Sequence, residues 1–140
     1  MYRPPYSSLH PISSSVFSGE ISQLLENVVL CPEPLVISGD FHFHLDDVLN
    51  SETQKFMELL ETFSLTQHVF GSTHLSGHTL DLIVTRSSDK IIPASPQAIF
   101  AISDHYFIHC PIALPRPARS VKEMTFRRSE EHTSELQSQR

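Results

Sequence analysis

From Ser15 to Leu30, the residues Val16, Phe17, Ile21, Leu24, Leu25 and Val28 recur at helical spacing. That period places them along one side of a helix. Pro32 and Pro34 forbid further helix, because proline lacks the amide hydrogen and its ring clashes with the preceding turn. "LVIS" (35–38) is a short apolar run, which predicts a strand in the middle of a sheet covered on both faces. A second helical pattern starts at Ser51 and carries Phe56, Met57, Leu59, Leu60 and Phe63 on one face. Ser51 and Gln54 have the spacing of a capping box, in which each side chain satisfies a free backbone donor of the first turn. "TLDLIVT" (79–85) reads as a strand with one aspartate in an apolar run. "QAIFAIS" (97–103) reads as another, and "SDHYFIHCPIAL" (103–114) begins with a polar triplet and runs into a further strand. Helices alternating with short buried strands predict α/β layers.

The chain has 140 residues, enough for one domain with a modest core. With 39% hydrophobic and 19% charged residues, the composition is that of neither a disordered tail nor a membrane protein. No apolar run approaches the ~20 residues of a membrane helix. "MYRPPYSSLHP" has no stretch resembling a signal peptide. Cys31 and Cys110 are too few for a disulfide framework or a zinc knuckle, which predicts reduced, buried cysteines and an intracellular setting. The net charge is -6 but uneven: residues 1–114 carry four Lys/Arg against twelve Asp/Glu. That part has no basic footprint for nucleic acid, so specific residues must carry any DNA reading. Beyond Leu114, residues 115–127 read as a linker. Residues 128–140 contain "RSEEHTSELQS", which resembles a translated sequencing adapter and is expected to add nothing to the fold.

Ionisable residues cluster where the predicted strands end. Asp40 follows "LVISG", and Gly39 before it lets the backbone turn sharply or approach a ligand. Asp40 taken alone also suits a loop cap. Asp81 lies within a strand, where a buried carboxylate costs several kcal/mol unless it is paired. His105 is a plausible partner; such a pair fixes the imidazole tautomer and raises its pKa. Asp104 precedes it. His42, His44, Asp46 and Asp47 could in principle supply zinc ligands. His68, His74 and His78 fall in the loop region before "TLD" and read as surface or hairpin residues. Several carboxylates with a histidine and no activated Ser or Cys suggest hydrolysis by water. Phosphodiesters are the natural substrates, with Mg²⁺ to neutralise developing charge.

"SGDFHFH", "GHTLDLIVT" and "SDHYFI", in that order, resemble the endonuclease/exonuclease/phosphatase superfamily. The closer resemblance is to the apurinic-type endonuclease domain of non-LTR (LINE-type) retrotransposons, where the pattern reads "GDFN", "TLD", "SDH". "YRPPYSS" is similar to that family's Tyr-x-Pro segment, and the likeness spans about residues 2–114. It implies that Tyr2 contacts the scissile phosphate and that Asp40 orients or deprotonates the attacking water. It implies that Asp81 holds the catalytic histidine, Asp104 serves the metal site, and His105 stabilises the phosphate. His42 departs from the pattern, standing where the family has an asparagine that positions phosphate and water. His44 fits the retroelement version of the motif, in which no zinc is expected.

The resemblance implies a four-layer α/β sandwich of two facing sheets, whose N-terminal half supplies an Asn and the main metal-binding Glu. The expectation for this chain is a partial sandwich: about one sheet with its outer helices, exposing apolar surface on the inner face. It is expected to be inactive alone. In the intact element, it implies Mg²⁺-dependent nicking of DNA in the nucleus and a reverse transcriptase domain downstream. The alternatives are a non-catalytic remnant or partner-binding fragment, or a phosphatase of small phosphoesters on the same fold.

Overall fold

Helix α1 spans Ser14–Val28 in the computed structural model, which describes residues 1–3 and 13–125. Its N-cap is Ser13, whose hydroxyl accepts from the Val16 amide. The buried stripe is Phe17, Ile21 and Leu25, one residue every four. Val16 and Leu24, predicted on the same face, stand exposed because each lies one position, about 100° around the helix, from a stripe residue.

Strand β1 (Val36–Asp40) pairs antiparallel with β3 (Asp81–Arg86), and the short β2 (Leu65–Gln67) pairs with the other edge of β3. The order is β1-β3-β2, so β3, not the "LVIS" strand, is central. The expectation for "LVIS" is therefore corrected. Residues 1–3 line the free edge of β1: Asp40 N–H donates to Met1 O (3.0 Å) and Arg3 N–H to Asp40 O (2.8 Å). Val36 is 37% exposed, so the outer face of β1 is not covered. Ile37, Leu82 and Val84 point to the opposite face. There they meet α1, Phe41, Phe43 and helix α2 to form the core.

Helix α2 (Ser51–Thr62) buries Thr53, Phe56 and Leu60, while Met57 is largely outside that face. Its N-cap is Asn50, one residue before Ser51: Asn50 Oδ1 accepts from Glu52 N–H (2.9 Å) and Thr53 N–H (3.4 Å). The Gln54 amide donates to Val48 O instead, so the Ser51–Gln54 capping box does not form. Asparagine caps as well as serine does, and it sits where the chain enters the helix.

Strands β4 (Gln97–Ala101) and β5 (Tyr106–His109) form a separate antiparallel hairpin with a register shift between Ala98 and Ala101. All of β4 is exposed, and Phe100 and Phe107 stack with centroids 5.4 Å apart. Ile99, Ile102, Ile112 and Leu114 are also exposed. Leu30, Val48, Leu49 and Phe70 are exposed too, so apolar exposure is spread over the turn after α1, the loop before α2 and the loop after β2 as well as the hairpin. Residues 110–125 have no helix or strand. The adapter-like tail at 128–140 and most of the "YRPPYSS" segment lie outside the described residues. Both cysteines are free, but the expectation of burial fails: Cys31 is exposed in the turn after α1 and Cys110 is half-buried. Mixed helices and two antiparallel sheets give an α/β class in the broad sense. Among the described residues, no helix is long and apolar enough to cross a membrane.

Candidate functional site

The register that pairs β1 with β3 sets Asp40 directly opposite Asp81. Two carboxylates on facing strands repel unless a cation lies between them. His105 lies between them and, when protonated, supplies one. Its Nδ1 lies 2.8 Å from Asp81 Oδ2, and its Nε2 lies 3.7 Å from Asp40 Oδ2. One imidazole therefore faces both carboxylates. The hydrogen bond that Asp81 accepts raises the His105 pKa first, and the charges of Asp81, Asp40 and Asp104 add to it against the effect of burial. Burial raises the Asp40 carboxyl and the Asp81 charge adds to this, while His42 and His105 oppose it. A shallow cleft of about 260 Å³ opens here, lined by Ser38, Asp40, Asp81, Ile83, Val69 and Ile108. A larger cavity of about 550 Å³ between Leu45, Met57, Val69 and Phe70 lies away from this pair of carboxylates.

His42 has a positive φ of 50°, a left-handed conformation uncommon for a residue with a side chain. Its amide donates to Asp40 Oδ1 (3.2 Å), closing a small turn after the strand. The ring nitrogen Nδ1 lies 2.8 Å from the same oxygen, yet it is buried and makes no aligned hydrogen bond. The ring nitrogen thus sits against the Asp40 oxygen without a directed bond. Tyr2 meets the His42 ring edge-on at 5.9 Å, with its own side chain mostly in solvent. Asp104 is exposed, and hydrogen bonding by the Ser103 hydroxyl holds its carboxyl below the usual range. Tyr2, Asp40, His42, Asp81, Asp104 and His105 thus come from four segments of the chain and converge on one end of the sheet.

Three further residues belong to this end of the sheet, and the sequence pattern assigns none of them to the site. Thr73 is fully buried, and its hydroxyl oxygen accepts the amides of Leu80 (2.9 Å) and Asp81 (3.0 Å), fixing where β3 begins. His74 bridges to His105 across the backbone, and its Nε2 lies 3.4 Å from Asp104 Oδ2. Arg3 is buried, with NH2 on Ser14 Oγ (2.6 Å) and Glu52 Oε2 (3.3 Å) and NH1 on His42 O (3.2 Å). Its guanidinium also lies 4.2 Å from the Phe43 ring centre. Only the hairpin spacing of "THLSGH" hints that His74 returns toward the next strand.

The four residues considered for zinc do not form a cluster with one another. His44 stacks on His78 at 4.0 Å, and Asp46 binds His78 Nδ1 (2.8 Å) and the Thr79 amide (2.9 Å). Burial pushes Asp46 up, but these hydrogen bonds outweigh it and leave the carboxyl below its ordinary value. Asp47 caps the Leu49 amide. His68 donates or accepts at Thr85 Oγ1 (2.7 Å), and burial lowers its pKa.

That shift has a measurable consequence. Between the lowered folded value and the ordinary ~6.5, the unfolded chain holds a proton that the folded chain does not. Stability should therefore fall as pH drops through that window. Going from pH 7.5 to 5.5, the urea midpoint should change less favourably in the parent chain than in His68→Gln, the opposite contribution of His105 being common to both; an equal change would remove His68 as a cause.

For Mg²⁺, the described residues offer a partial fit. Magnesium is commonly held by one or two carboxylates together with water and substrate phosphate. Asp104, exposed and beside His74 and His105, can supply one such oxygen. No family model, curated protein or solved structure matches the chain.

Proposed function

We propose that Asp40, Asp81, Asp104 and His105 form one wall of a phosphodiester-hydrolysing site, with DNA as the substrate of the intact domain. The observation that carries this reading is the single imidazole of His105 placed between Asp81 and Asp40. Asp81 accepts from Nδ1–H and so fixes the ring's orientation and favours its protonated form. Nε2–H is then available to a phosphate oxygen that gains charge as water attacks. Asp40, with its pKa raised, is suited to orient that water and take its proton. Mg²⁺, held in part by Asp104, would neutralise phosphate charge.

The ordered motifs support an endonuclease of the retrotransposon type within the endonuclease/exonuclease/phosphatase superfamily. That reading includes the four-layer sandwich, a downstream reverse transcriptase domain and a nuclear setting. The phosphatase alternative uses the same wall on a smaller substrate.

The His42 contact favours the reading that this chain is inactive by itself. Its ring crowds the Asp40 oxygen that would take the water's proton. Incubated with supercoiled plasmid and Mg²⁺, the chain is expected to leave it uncut. Nicking that disappears in both Asp40→Ala and His105→Ala would overturn that expectation. The wall is tested separately by NMR: a short DNA duplex should shift the His105 ring resonances. Saturable binding that leaves His105 unmoved would remove it as the phosphate contact.

A further inference from the structure

We propose that His74, Asp104 and His105 form a binding site for a borderline divalent ion such as Zn²⁺ or Co²⁺. One donor atom from each residue lies within 4.8 Å of the others. His74 Nε2 and Asp104 Oδ2 are 3.4 Å apart, close to the ~3.3 Å that tetrahedral bonds of about 2.0–2.1 Å imply. The rings of His74 and His105 meet edge-to-face at 4.8 Å.

The backbone holds the three ligands in place. His74 and His105 form an antiparallel bridge, Leu75 N–H donates to Asp104 O (2.8 Å), and Tyr106 N–H donates to Thr73 O (2.8 Å). The two segments therefore move as one unit. Asp104 has the exposure needed to adjust its carboxylate around an ion.

Both rings also carry outer partners. Metal-bound histidines commonly donate their other nitrogen to a carboxylate or oxygen, which fixes the ring. His105 Nδ1 faces Asp81 Oδ2, leaving Nε2 for an ion. His74 Nδ1 accepts from the Ser76 amide (3.0 Å) and lies 2.7 Å from Ser76 Oγ, so without an ion the ring proton sits on Nε2, facing Asp104. An ion taking Nε2 shifts that proton to Nδ1, where Ser76 Oγ accepts it in place of the Ser76 amide contact.

Two imidazoles and one carboxylate select a borderline ion over hard Mg²⁺ and leave a fourth position for water. Asp40 and Asp81 beside His105 add negative charge that attracts a cation. This site goes beyond the phosphodiester reading and does not rest on it. An ion here would withdraw His105 Nε2 from a phosphate and Asp104 from Mg²⁺, so occupancy by Zn²⁺ or Co²⁺ and the phosphodiester reading exclude each other.

The test is a Co²⁺ titration of the 140-residue chain in chelator-free buffer at neutral pH, read by visible absorption. One equivalent should saturate a tetrahedral spectrum, and Zn²⁺ but not Mg²⁺ should displace it. His74→Gln and Asp104→Asn should each weaken binding at least about tenfold, as should Asp81→Asn through the outer partner. His44→Gln and His68→Gln should leave it unchanged. The site is overturned by the absence of a saturable spectrum, by unchanged affinity in Asp104→Asn, or by loss in His44→Gln. Asp104 is exposed and its side chain meets Ser103 and His74, so its replacement reads binding rather than folding. No nucleic acid enters the measurement, so a failed phosphodiesterase test would leave this result standing.

Discussion

Replacing Phe43 by alanine should lower the unfolding free energy by about 3–5 kcal/mol, measured by urea unfolding followed by circular dichroism. Against a typical stability of about 5–15 kcal/mol, that change would leave much of the chain near its midpoint at modest urea. Phe43 is 2% exposed and stacks on Phe56 at 4.5 Å, with Phe17 tilted against it at 5.7 Å. It joins α1, α2 and the loop after β1. The Arg3 guanidinium lies against the same ring, so truncation also leaves a buried cation without that contact. Phe43→Leu, which keeps most of the volume, should cost less than half as much. Equal losses for the two variants would mean that filling the site is not what Phe43 contributes.

Gly39→Ala should release residues 1–3 from the edge of β1 at a cost of about 2–3 kcal/mol, in the range of a strained core change. A Cβ at Gly39 would fall 1.7 Å from Met1 O and 2.5 Å from Met1 N, an overlap of backbone that no rotamer relieves. Either the N-terminal segment leaves or β1 bends away from it. The first response also removes Tyr2 from His42 and Arg3 from Glu52 and Ser14. Glu52 is held below its ordinary pKa first by the Ser14 hydroxyl and then by Arg3, so losing the arginine should relax that carboxyl upward. Amide exchange at Arg3 and Asp40 is the direct measurement. Protected amides at both positions in Gly39→Ala would sink the argument.

Some of this was legible in the sequence. The periods of α1 and α2 and the apolar runs of β1 and β3 are local, and local patterns survive folding. Asp81 and His105 were readable as partners because a carboxylate in a strand needs one. The three-residue β2 is too short to show a period, and the rank of β1 within the sheet depends on pairing far along the chain. Val16, Leu24 and Met57 have the right spacing but lie just outside the buried stripes, and where a stripe stops is set by the neighbours it meets rather than by its spacing. Thr73, His74 and Arg3 owe their roles to contacts across long stretches of chain. A buried threonine accepting two amides has no pattern of its own.

The pairing of Asp40 with Asp81, and of both with His105, also sets an order of events in time. Helices α1 and α2 close short loops, whereas this end of the sheet must gather residues 2, 40, 81 and 105. Closing longer loops costs more entropy before any contact repays it, and distant strand pairing is slow. On dilution from denaturant, the helical signal should therefore return before the His105 ring acquires its raised pKa.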